Sequence, residues 1–147
     1  MHLGASLIAL ASAAGLVSAG INCNGAAGCP SVAGNLDQLI NLANGIDDNR
    51  WYNSGQKIVC IQTNLGNTGL CAFQQNTGGA PGHSIKSLLR SLRDHGCKKC
   101  GSVPLFYPSD NNDSSHGILT VNVVGNTGGC AWGRMQVVNK VRLTRFK

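Results

Sequence analysis

Seven cysteines, Cys23, Cys29, Cys60, Cys71, Cys97, Cys100 and Cys130, are spread through a chain of 147 residues. All of them lie beyond an apolar leader. Leu3 to Val17 is an almost unbroken run of small and apolar side chains that closes in Val17, Ser18 and Ala19. That is the pattern of a secretory signal peptide over residues 1–19, although His2 gives its start little charge. The run falls short of the roughly 18 to 20 apolar residues a membrane helix takes, and no later stretch approaches that length. Such a leader delivers cysteines to an oxidising compartment. A secreted, extracellular protein stapled by disulfides is therefore expected. An odd count leaves one thiol over, and on the order of a hundred arrangements satisfy it.

Within this set, Cys97-Lys98-Lys99-Cys100 carries the most chemistry. The spacing permits a local redox dithiol, since neighbouring lysines lower a thiol's pKa. It also permits half of a zinc site completed by Cys23 with Cys29, His95 or His116, but the five residues between Cys23 and Cys29 fit knuckle spacing poorly. A structural reading pairs each cysteine of the motif with a distant partner. Cys23 and Cys29 are natural choices, because closing long loops restricts the unfolded chain most. Neither a metal nor a cofactor is expected.

The net charge of +6 suggests nucleic acid or a membrane until it is counted by position. Residues 20–130 hold seven Lys and Arg against six Asp, so the expected single domain is nearly neutral. Five more cations, Arg134, Lys140, Arg142, Arg145 and Lys147, follow the last cysteine with no acid among them. Basicity thus belongs to a tail over 131–147, and no nucleic-acid partner is expected. Val137, Val138, Val141, Leu143 and Phe146 are interspersed there. Strand pairing, contact with an anionic membrane surface and a disordered or trimmed extension all stay open.

Two segments have helical period. Leu36, Leu39, Ile40 and Ala43 recur over 35–43, with Asn35 as cap, Asp37 in the first turn and Gly45 beyond the end. Ser84 to His95 aligns Ile85, Leu88, Leu89 and Leu92, with Ser84 as cap and Gly96 as stop. Lys57 to Thr63 and Leu70 to Gln75 alternate across a turn-rich Asn64 to Gly69 and read as a hairpin. Gly117 to Gly125 reads as a further strand. The fold class is α+β: helices on one face of a mainly antiparallel sheet.

No catalytic set emerges. Ser84 lies in no Gly-x-Ser-x-Gly elbow. His83, His95 and His116 with Asp94, Asp110 and Asp113 offer acid–base chemistry, but no spacing places them together. Glutamate is absent, leaving six scattered Asp for the paired carboxylates of a glycosidase. The expectation is a protein that is not an enzyme. Asn112-Asp113-Ser114 is a candidate glycosylation sequon at Asn112.

Taken together, Gly20-Ile21-Asn22-Cys23, Cys29, the stretch His95 to Ser102, Pro104-Leu105 and Gly117 to Asn122 resemble the killer protein 4 family of virus-encoded smut-fungus toxins. The resemblance spans residues 20 to 130 and is most specific from Asp94 to Ser102. It implies an α/β sandwich with a five-stranded antiparallel sheet, two helices on one face, and disulfides linking Cys23 and Cys29 to Cys97 and Cys100. The pairing of Cys60, Cys71 and Cys130 stays open. It also implies a secreted toxin that inhibits competing fungi through calcium uptake, with a membrane channel or cell-surface protein of the target cell as partner; the protein itself is expected to be a monomer. An effector that binds a surface without killing is the alternative, with a small secreted hydrolase as a third, less favoured reading. Lys57, Lys98 and Lys99 are the candidate target-binding cations. The family's functional lysine matches Ile58, however, and Lys57 stands one place upstream. A one-residue shift in a strand turns a side chain to the other face.

Overall fold

A computed structural model describes residues 20–64, 66–112 and 116–136. The expected leader, most of the basic tail and two residues of the sequon lie outside these. After a 3-10 turn, Cys29–Ser31, the first helix α1 covers Leu36–Ala43. The Asn35 side chain accepts from the Gln38 backbone N–H while the Gln38 side chain accepts from that of Asn35, a reciprocal capping box. Its buried face, Leu36, Leu39, Ile40 and Ala43, is the periodic set of the sequence.

Strands β2 (Lys57–Gln62) and β3 (Gly69–Gln75) form the hairpin, with Cys60 directly opposite Cys71. Before and after it, β1 (Trp51–Tyr52) and β4 (Ala80–Pro81) pair as a separate two-stranded ribbon. Helix α2 follows as Gly82–Asp94 and buries Ile85, Leu88, Leu89 and Leu92. Gly96 stops it at φ +107°, a left-handed conformation that suits glycine.

The helix starts two residues earlier than Ser84, which is no cap. Pro81 holds that position without a side-chain bond. The first backbone donors go instead to the preceding loop, Gly82 to the Arg50 carbonyl (2.9 Å) and His83 to that of Asp48 (3.0 Å). Tertiary contact thus replaces the local cap. A Cβ on Gly82 would collide with the Asp47 carbonyl, so only glycine brings helix and loop this close.

Strands β5 (Gly101–Pro104), β6 (Ile118–Val124) and β7 (Trp132–Gln136) complete a five-stranded sheet in the order β5-β6-β3-β2-β7. All neighbours are antiparallel except β7, which lies parallel to β2. The boundary drawn at residue 130 therefore falls just before an edge strand. Both helices pack on the sheet and on each other, and Leu39, Val59, Ile61, Leu70, Leu89, Val103 and Val121 close one core between the layers. This is the expected α+β sandwich, with helices on one face of a mainly antiparallel sheet. No helix among the described residues is long and apolar enough to cross a membrane.

Candidate functional site

Three disulfides fix the framework: Cys23–Cys97, Cys29–Cys100 and Cys60–Cys71. Cys130 stands outside them, its Sγ 3.3 Å from the Trp132 carbonyl oxygen. Cys97 and Cys100 therefore form no dithiol with each other, and the sulfurs a zinc site would have used are occupied.

The first two bridges strap the N-terminal segment over the exit of α2. Between them lies an open cleft of about 480 Å³. Its walls are small, namely Gly25, Ala26, Ala27, Pro30 and Gly96, together with the four bridged cysteines, Lys98 and Lys99. Gly25 belongs there for a steric reason, since a Cβ on it would collide with Cys100. The Ala26 backbone N–H is held by the Asn122 side chain of β6 (2.9 Å), which ties the wall to the sheet.

The two lysines of the motif have different surroundings. Lys99 is half-buried and its ammonium donates to the Pro30 (3.0 Å) and Val32 (2.7 Å) carbonyl oxygens. It neutralises the polar end of the 3-10 turn. Lys98 is exposed and its ammonium has no partner among the described residues. Its backbone is held, however, because its carbonyl accepts from the Leu36 N–H at the start of α1 (2.8 Å).

Lys57 lies elsewhere. In the sheet β2 and β5 are separated by β3 and β6, three spacings of about 4.8 Å. The structure thus does not bring Lys57 together with Lys98 and Lys99. A register shift between Lys57 and Val59 sets Lys57 opposite Phe73 and Val59 opposite Ala72. Ile58 is the extra residue of a bulge and is fully buried in the core. Directly opposed residues share a face and alternate residues share a face, so Lys57 lies on the face of Phe73, Cys71 and Cys60. The bulge therefore puts Lys57, and not Ile58, on the face of Cys60 and Cys71. On that face the Lys57 ammonium donates to the Asn126 carbonyl (2.8 Å).

Of the candidate acid–base groups, the structure joins two that the sequence left apart. His116 Nδ1 lies 2.6 Å from Asp110 Oδ2, and its ring meets Phe106 edge to face at 5.0 Å. Asp110 also accepts from the Asn112 backbone N–H, which is the larger cause, with His116, of its carboxyl lying below the ordinary value. Only a loop that folds back on itself reveals such a pair, and the turn-rich Pro108 to Asn112 is its one signal in the sequence. His83 faces the Asp48 carbonyl, while His95 is exposed at the end of α2. Ser109, in the same loop as Asp110, donates to the Phe106 carbonyl, and Ser84 lies inside α2. Asn112 is exposed, as a glycosylation acceptor must be. The cleft walls were not singled out from the sequence, although the small run Gly25-Ala26-Ala27-Gly28 between two cysteines is their signature.

Comparison with known proteins joins these features. The family model Kp4 matches residues 6–125. The KP4 killer toxin of Ustilago maydis P4 virus is 36% identical over 111 residues, covering 74% of this chain and 83% of the toxin. The matched span takes in the hairpin, both helices, the six bridged cysteines and both cleft lysines, and ends before β7. The chain belongs to the Kp4 family.

Proposed function

We propose that this killer-toxin-like protein is secreted, acts as a monomer outside the cell, and inhibits the growth of competing fungi or other cells by interfering with calcium uptake through channels of the target membrane. It does so by binding rather than by catalysis. The observation that carries the reading is the 36% identity to a killer toxin over 111 residues, 74% of this chain. A rigid scaffold suits this task, since a stapled surface that presents cations loses little conformational freedom on meeting carboxylates at a pore mouth. The near-neutral domain supports a protein partner over nucleic acid, which is recognised through many cationic contacts.

The test is a growth assay with the purified, disulfide-intact protein. A sensitive fungus is expected to stop growing and to recover when calcium is added. Inhibition indifferent to calcium would remove the channel mechanism. Absence of inhibition with saturable binding to the cell surface would favour an effector that does not kill.

A further inference from the structure

The cleft between Cys23–Cys97 and Cys29–Cys100 combines three properties: shape, rigidity and a single uncommitted charge. About 480 Å³ falls within the range of ligand sites, roughly 300 to 1,000 Å³. Both rims are cross-linked, and the Lys98 backbone is anchored to α1. Lys98 lines the cleft and is exposed, while Lys99 is held by two carbonyls within the wall. No carboxylate lines the cleft. The acids nearest in sequence, Asp37 beside the Leu36 bond and Asp94 before Gly96, both face Arg93, at 4.0 and 3.3 Å. Lys98 is therefore left for an external anion.

The nature of that anion follows from what surrounds it. Phosphate is recognised by several converging donors, typically the planar fork of arginine. This cleft offers one free ammonium against apolar and small walls, and no arginine. A compact point charge beside a shallow apolar surface fits a single carboxylate on a short peptide whose neighbouring residues are small or apolar. We infer that this cleft is the docking site for an acidic peptide segment of the target's surface protein, with Lys98 binding its carboxylate and Lys99 positioning the wall. The inference rests on the reading of the protein as one that binds a target-cell surface, and it names where and through what chemistry.

The test uses the disulfide-intact protein and a capped Gly-Asp-Gly-Leu-Gly peptide, followed by NMR amide shifts. Shifts should concentrate at Gly25 to Ala27 and Gly96 to Cys100. Binding should weaken about tenfold or more when Asn replaces Asp in the peptide, and by a similar factor in Lys98→Gln, while Lys98→Arg retains it. A phosphoserine peptide of the same length should bind no better than the Asp peptide. The inference is overturned if no shifts appear at millimolar peptide, if they lie elsewhere, if the Asn peptide binds equally, or if the phosphopeptide binds tighter. A parallel growth assay separates it from the killer reading. Growth inhibition that Lys98→Gln leaves unchanged sinks the cleft alone, whereas peptide binding without any growth inhibition sinks the killing alone.

Discussion

Lys98 and Lys99 are neighbours in sequence, yet one is exposed at the cleft and the other anchors its wall. Replacing Lys99 by Gln removes two charge-assisted bonds to the Pro30 and Val32 carbonyls. It should lower stability by about 1–2 kcal/mol, read from the denaturant midpoint at unchanged slope. Lys98→Gln should stay within about 0.5 kcal/mol of the parent protein in the same experiment. Asp110 adds a pH dependence of definite sign. Its folded pKa lies below the ordinary 3.8 because Asn112 and His116 hydrogen-bond to it. The contact therefore adds stability that is fully present above 3.8 and is lost as pH falls through the lower folded value. NMR of the Phe106 to His116 loop should show it intact at neutral pH and released on acidification, and Asp110→Asn should abolish that step.

Helices α1 and α2, the hairpin and β6 were legible because periods of 3.6 and 2 are written in their apolar residues, Leu36 to Ala43, Ile85 to Leu92, Val59 to Ile61 and Leu119 to Val123. What was missed has a common cause, namely partners distant in sequence. Strand β5 is buried along its whole length, so it shows no alternation, and it opens with Gly101 and closes with Pro104. Strands β1 and β4 are two residues each, too short to carry a period. Strand β7 was not missed but left open, as the strand-pairing reading of the basic tail, and it is held by parallel pairing to β2. Ser84 had the right chemistry for a cap, but the Asp48 and Arg50 carbonyls took over the donors of α2. Asn35 is the contrary case, where cap and helix agree. Asn35→Ala should cost about 1 kcal/mol, measured as a fall in the denaturant midpoint with the sheet intact. Of the candidate site, the cations were legible as residues, but their roles were not. Whether an ammonium faces solvent or a carbonyl depends on a turn some 70 positions away, joined through Cys29–Cys100, whose sequence separation is 71.

Across the whole molecule, the long bridges convert a glycine-rich chain into one body. Cys23 and Cys97 are 74 residues apart, but while Cys29–Cys100 stays closed their bridge closes an added loop of only about ten residues, which restricts the unfolded chain by about 2–3 kcal/mol. The double variant Cys23→Ser, Cys97→Ser should lose stability on that order and should loosen the cleft wall. Because the scaffold's charge is almost balanced, its action is expected to depend on a few placed cations rather than on a general field. The measurement closest to the central proposal is uptake of radiolabelled calcium by sensitive fungal cells exposed to the purified protein. A dose-dependent fall in uptake, preceding growth arrest and without leakage of cell contents, is predicted. Growth arrest with calcium uptake unchanged would contradict it.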